Sequence, residues 1–211
     1  MAEIKEIKDN IKEVPFAYYV DLFKKIDPQK AAARCGTAFD GAAFHVRFFF
    51  DDYRVTWPEF TISCENSRAF ALNDLKAQTF IIRILLEAEY RESTGGFKTF
   101  REMSWGEMYI SPFTGRCITR AAFSFGTDVP KFALASERMG AKKVNHGDAA
   151  YEFEVLPGYF VTLIVWEGDD EFPPNSQILY SDNFEENFAA EDRVVIAETL
   201  ITLIKNKMKE T

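Results

Sequence analysis

The chain has 211 residues, 47% apolar and 27% charged, with a formal charge of -8 and a sequence pI near 5.0. That balance is globular, and its length suits one domain. The acidic total argues against a nucleic-acid face or an anionic membrane surface, since both need basic side chains. Phenylalanine stands out at 21 residues, so the core is expected to be built on aromatic rings.

Cys35, Cys64 and Cys117 are scattered and odd in number, which implies no disulfide framework. The first ten residues, M-A-E-I-K-E-I-K-D-N, lack the apolar core of a signal peptide. The best apolar run, Phe80 to Leu86, is too short for a membrane helix and is interrupted by Arg83. A reducing cytoplasm is the expected location.

In chain order, Ile4, Ile7, Ile11 and Val14 mark a narrow-striped helix that Pro15 is expected to end. Phe16, Tyr19, Phe23 and Ile26 form a second stripe. Asp27-Pro28 reads as the cap and first residue of a short helix that stops at Gly36. Phe44–Phe50 and Tyr53–Trp57 read as a hairpin turning at Asp51-Asp52, with Phe60–Cys64 as a further strand. Asn73 or Asp74 caps a long central helix, apolar nearly all round at its centre F-I-I-R-I-L-L, expected to reach about Glu92 and to stop at S-T-G-G, residues 93–96.

Phe97–Arg101 and Met108–Ile110 are short strand candidates. Asp128 opens another helix, with Phe132, Ala135 and Met139 on one face and Gly140 as its stop. Tyr151–Leu156 and Tyr159–Trp166 flank Pro157-Gly158 as a hairpin, and Gln177–Ser181 can add a strand. The last helix is expected over Ala190–Lys209, acidic at its start and basic at its end. Strands and helices cluster rather than alternate. The fold class is therefore α+β, a mainly antiparallel sheet against a long central helix and a C-terminal helix. The expected organisation is a single domain over 1–211, with a helical segment at 1–36 and an α+β body at 37–211.

Recognisable chemistry is sparse. His45 and His146 flank no nucleophile motif, and the cysteines and histidines lack zinc or iron–sulfur spacing. S-T-G-G-F-K follows a helix, whereas a phosphate loop follows a strand, so it reads as a helix cap. No cofactor is expected.

Two features remain. Arg101, Arg116 and Arg120 share a segment with Tyr109, and they either fork onto a ligand carboxylate or phosphate or pair within the fold. The stretch W-E-G-D-D-E-F-P-P, Trp166 to Pro174, opens a run from Glu167 to Asp192 with nine carboxylates and no lysine or arginine. If extended, it sets Asp169 and Glu171 on one face with Asp170 opposite. Two carboxylates so placed can take a hard cation or divide acid and base roles. Otherwise the loop is structural, its carboxylates bonded to backbone amides or to the arginines.

W-E-G-D-D-E-F-P-P, I-L-Y-S-D at 178–182 and A-E-D at 190–192 resemble the C-terminal signature of the domain-of-unknown-function family numbered 3786. F-R-E at 100–102, with Gly106 and Tyr109, resembles its middle motif, and the helix before it is similar too. The likeness runs from about residue 16. It departs at Met103-Ser104-Trp105-Gly106, where relatives often carry a Pro-Gly-Gly-like turn, and in having no counterpart of some relatives' cysteine-rich iron–sulfur segment. The resemblance implies an origin among anaerobic bacteria and archaea, and shared positions at Arg101, Trp166, Glu167, Gly168, Asp169, Glu171 and Pro173. It implies no reaction.

Two functional expectations follow. One is a non-catalytic cytoplasmic module binding a small ligand or protein partner near Trp166–Pro174, through Arg101, Tyr109, Trp166, Glu167, Asp169, Asp170 and Glu171. The other is an enzyme of hydrolysis or proton transfer using Asp169 and Glu171, with or without a divalent metal. Nucleic acid and membrane are not expected as partners. A homodimer packed through the N-terminal helix is a third possibility.

Overall fold

A computed structural model of the chain describes residues 13–66 and 71–210. The striped helix expected over residues 3–13, and the dimer contact assigned to it, lie almost entirely outside those residues. The described chain forms two compact units. One holds the residues up to Val46 together with Asp52–Tyr90; the other holds Arg47–Asp51 and Arg91 onward.

In the first unit, α1 (Glu13–Phe23) contains Pro15 near its described start. Pro15 therefore lies within the described helix and does not end it. α2 (Pro28–Cys35) begins as expected, the Asp27 carboxylate accepting from the Gln29 and Lys30 amides at 3.1 Å. Gly36 closes it in the left-handed region, and the Tyr90 ring lies 3.0 Å from where a Cβ would stand.

α3 (Leu75–Glu87) buries Ala77, Phe80, Ile81, Ile82, Ile84 and Leu85. It ends earlier than expected, and the reason is tertiary. The Arg34 guanidinium donates to Leu85 O at 2.8 Å and Ala88 O at 3.2 Å, and Tyr90 N–H donates to Arg34 O at 2.8 Å. These bonds draw the chain out of the helix before S-T-G-G is reached.

An antiparallel sheet runs in the order β1 (Ala38–Phe39), β2 (Ala43–Phe48), β3 (Asp51–Thr56), β4 (Ile62–Cys64). Phe23 meets Phe60 edge-on at 5.3 Å and Phe44 at 5.7 Å. Burying each such ring fully contributes about 1.5–3 kcal/mol. The hairpin turns at Phe49-Phe50, not at Asp51-Asp52, which are paired strand residues. The tip belongs to the second unit, where Phe49 N–H donates to Val155 O at 2.7 Å and Phe50 meets Phe153 edge-on. These bonds hold Phe49 in the left-handed region, φ 54°, which its sequence would not announce.

The second unit is built on an antiparallel sheet ordered β5 (Phe97–Thr99), β9 (Asn175–Ser181), β8 (Tyr159–Trp166), β7 (Ala149–Leu156), β6 (Lys142–Val144). The β7–β8 hairpin turns at Pro157-Gly158 as expected, with Leu156 opposite Tyr159. Residues 161–165 of β8, the central strand, are buried throughout.

α4 (Gly106–Phe113), a π turn at Thr114–Thr119 and α5 (Arg120–Phe125) run on as one helical rod. Met108–Ile110 is thus helical and not a strand. These residues fall in the first turns of the rod, with Met108 78% exposed. α6 (Val129–Arg138) and α8 (Ala190–Lys209) pack together, and a single turn, α7 (Phe184–Asn187), precedes α8. Rings carry this core too: Phe100 stacks on Phe113 at 4.0 Å, and Phe184 meets Tyr159, Tyr180 and Phe188 edge-on. Among the described residues no helix is long and apolar enough to cross a membrane.

Candidate functional site

The acidic stretch at Trp166 is the connection between the central strand β8 and its neighbour β9. Trp166 ends β8 opposite Asn175, and residues 167–174 bridge the two strands. Gly168 N–H donates to Gly126 O at 3.1 Å, tying the loop to the end of α5. Both glycines are needed for closeness. A Cβ on Gly126 would stand 2.5 Å from Pro174 Cβ and 2.7 Å from Trp166 O, and one on Gly168 would stand 2.6 Å from Pro174 Cδ. Glu167 N–H donates to Asp148 Oδ2 at 2.7 Å.

Residues 169–172 form a turn and are not extended. Asp169 Oδ1 accepts from the Glu171 amide at 2.8 Å and the Phe172 amide at 2.7 Å, while Asp169 N–H donates to Phe172 O at 2.9 Å. Those amide bonds, the Phe172 one foremost, hold the Asp169 carboxyl below its usual range. Asp169 and Glu171 therefore do not present two carboxylates on one face, because Asp169 is spent on its own turn.

Glu167, Asp170 and Glu171 are exposed, and among the described residues their carboxylates make no hydrogen bond or ion pair. Beside them Phe172 is 67% exposed and Trp166 is 38% exposed. Phe123, also exposed, stands one helical turn before Gly126, the residue against which the loop is seated.

None of the three arginines answers this loop. Arg101 pairs at the surface with Glu107 at 3.0 Å. Arg116 forks onto two carboxylates of α8: Nη1 and Nη2 donate to Glu191 at 2.9 and 3.0 Å, and Nε and Nη2 donate to Glu198 at 2.9 and 2.6 Å. Tyr109 Oη donates to the same Glu191 at 2.7 Å, and this bond, with burial, raises the phenol above its usual range. Arg120 donates to Thr202 Oγ1 at 2.8 Å and to the Glu198 carbonyl. Sequence grouped Tyr109 and Arg101 with the acidic loop; instead Tyr109 and Arg116 meet across the rod and α8, and Arg101 meets neither.

S-T-G-G is also not a helix cap. Ser93 Oγ, Thr94 N and Thr94 Oγ1 all donate to the Asp182 carboxylate, which they hold below its usual range. Lys98 Nζ at 2.5 Å, with Ser104 N and Oγ, does the same for Glu185. Arg91 pairs with Glu186 at 2.8 Å. Partners of Asp182, Glu185, Glu186 and Glu191 are thus drawn from residues 91–116, while Asp169 is held by its own turn.

Among the described residues, the cysteine and histidines singled out in the sequence lie apart from one another. Cys117 is fully buried and its thiol is pushed up to about 12, burial being the main cause, so no thiolate forms near neutral pH. His45 Nε2 lies 3.0 Å from Asp40, and His146 is exposed in a turn. Among the described residues no three His, Cys, Asp or Glu side chains gather closely enough to hold a metal.

One residue escaped the sequence. Arg193 shares a face of α8 with Ala197, Leu200 and Ile204, and it is 1% exposed. A charge at helical spacing inside an apolar stripe was the signal that could have found it.

No curated protein and no solved structure matches this chain. A family model, the domain of unknown function DUF3786, matches residues 27–203, which takes in both units and the whole of the acidic loop. The chain belongs to that family.

Proposed function

We propose that the chain is a cytoplasmic, non-catalytic binding module whose Trp166–Pro174 loop docks a basic and partly apolar segment of a protein partner. The observation that carries this reading is the set of unanswered carboxylates. Glu167, Asp170 and Glu171 lie beside exposed Trp166 and Phe172 on a loop fixed to α5, while the carboxylates of Asp182, Glu185, Glu186 and Glu191 are bonded within the fold. A charged rim around aromatic side chains suits a partner's lysines or arginines and aliphatic anchors. Three free cysteines fit a reducing compartment.

The enzymatic alternative is less well supported. Proton transfer or hydrolysis by Asp169 and Glu171 needs a shared face and one raised pKa, whereas the Asp169 carboxylate is bonded to the Glu171 and Phe172 amides of its own turn and its pKa is lowered.

Fluorescence anisotropy with a panel of labelled peptides that pair Lys or Arg with Phe or Leu tests the reading. Binding is expected to weaken as salt rises and to disappear in a variant combining Phe172→Ala, Asp170→Asn and Glu171→Gln. Equal binding by that variant, or binding no better than by acidic peptides, refutes it. Light scattering on the full chain reports self-association separately.

A further inference from the structure

The buried guanidinium of Arg193 is the least explained polar group in the second unit. Its Nη2 donates to the Ser104 carbonyl, and its carbon lies 5.1 Å from the centre of the Phe100 ring. Nε and Nη1 are buried and have no hydrogen-bond partner, and no carboxylate pairs with Arg193 among the described residues. The nearby acids are already engaged: Glu185 accepts from Ser104 and Lys98, and Asp192 accepts from the Ala189 amide.

A guanidinium has five N–H donors in a planar array. One Nη2 hydrogen goes to Ser104. Whichever it is, the other stands beside Nε or Nη1, so a complete two-pronged edge is left unused. Such an edge matches the two oxygens of a carboxylate or a phosphate.

The segment that supplies the Ser104 carbonyl to this group is conformationally constrained. Ser104 is held by Glu185 at 3.1 and 3.0 Å. Trp105 is a non-glycine residue at φ 64°, and its side chain is 69% exposed. Gly106 is pressed so closely to Phe100 that a Cβ would stand 1.9 Å from its carbonyl oxygen. Left-handed backbone at a tryptophan is strained.

We propose that Arg193 is the fixed cation of an oxyanion-binding site, taking a carboxylate or phosphate group on its free edge, with Phe100 setting the guanidinium plane and Ser104–Gly106 as the cover. It is separate from the Trp166 loop and holds whether or not that loop docks a partner.

The test titrates the full chain with inorganic phosphate and, separately, acetate, at ionic strength held constant with chloride. The readout is the Arg193 Nε–H resonance, assigned by its loss in Arg193→Lys. A saturable shift with either anion, and a change in Trp105 fluorescence at the same midpoint, supports the site; phosphate alone or acetate alone names the ligand class. Arg193→Lys keeps the charge but loses the fork, and is expected to weaken the fluorescence midpoint about tenfold. An Nε–H resonance unmoved by both anions across the millimolar range makes Arg193 a structural residue only. If the lysine variant does not fold, assignment through Arg193 Hδ protons keeps the wild-type titration decisive.

Discussion

Glu171 and Glu191 belong to the same cation-free stretch of sequence and have opposite surroundings. Glu191 receives two guanidinium nitrogens and a tyrosine hydroxyl, while the Glu171 carboxylate receives nothing from the described residues. The difference lies in what packs alongside. α8 lies against the rod at Gly106–Phe125, whose π turn brings Arg116 to face it; the Trp166 loop lies against the end of α5 at a glycine, which offers only a carbonyl. Charge density along a chain therefore says little about which acids the fold uses and which it leaves to a partner.

That comparison can be broken at several points. The largest effect is expected where the loop is seated. Gly126→Ala puts a methyl against Pro174 and the Trp166 carbonyl, and should cost roughly 3 kcal/mol by urea denaturation. A loss below about 1 kcal/mol would show that the loop gives way and is not anchored.

Next is the answered side. Arg116→Met removes the fork from Glu191 and Glu198 and leaves two half-buried acids side by side. A loss of about 2 kcal/mol is expected after allowing for partial exposure. An unchanged denaturation midpoint would reduce the network to surface decoration.

Acidity separates the regions in a third way. The Asp182 and Glu185 pKa values are lowered in the folded chain, so the unfolded chain binds protons more readily. Their stabilisation is present above the ordinary carboxylate range and is lost as pH falls through their lowered folded values. Asp182→Asn should flatten that acid slope. At the alkaline end, burial and the Glu137 hydrogen bond push Tyr151 up to about 12. Its contribution is complete below the ordinary tyrosine pKa, roughly 10, and falls as pH rises towards the folded value. Tyr151→Phe should remove that part of the alkaline loss.

The smallest effect is expected from Asp170→Lys with Glu171→Lys. Stability should move by less than about 0.5 kcal/mol, while binding of a basic peptide is lost. A substantial destabilisation would reveal a structural role for these exposed acids.

Local chemistry made much of this fold readable. Asp27-Pro28 and Asp128 cap the helices they precede, Pro157-Gly158 turns the hairpin it interrupts, and the acidic-to-basic segment Ala190–Lys209 is the helix it was expected to be. What sequence misplaced depends on groups far along the chain. α3 stops where Arg34 takes its carbonyls, and Ser93-Thr94 serves Asp182 instead of a helix end. The acidic loop was visible as composition, but its turn was not, because Asp169 reads equally well as a ligand and as a cap for its own amides. Arg193 was hidden by the habit of reading arginine as surface.

The sheet of the second unit ends in β5 and β6, each three residues long, with Lys98 on one and Lys142 and Lys143 on the other. Such borders offer few open backbone groups and repel a second strand by charge and desolvation. Polymerisation by strand addition is thereby discouraged. A visitor to this unit is steered to side chains at the loops, where recognition depends on composition rather than on backbone pairing.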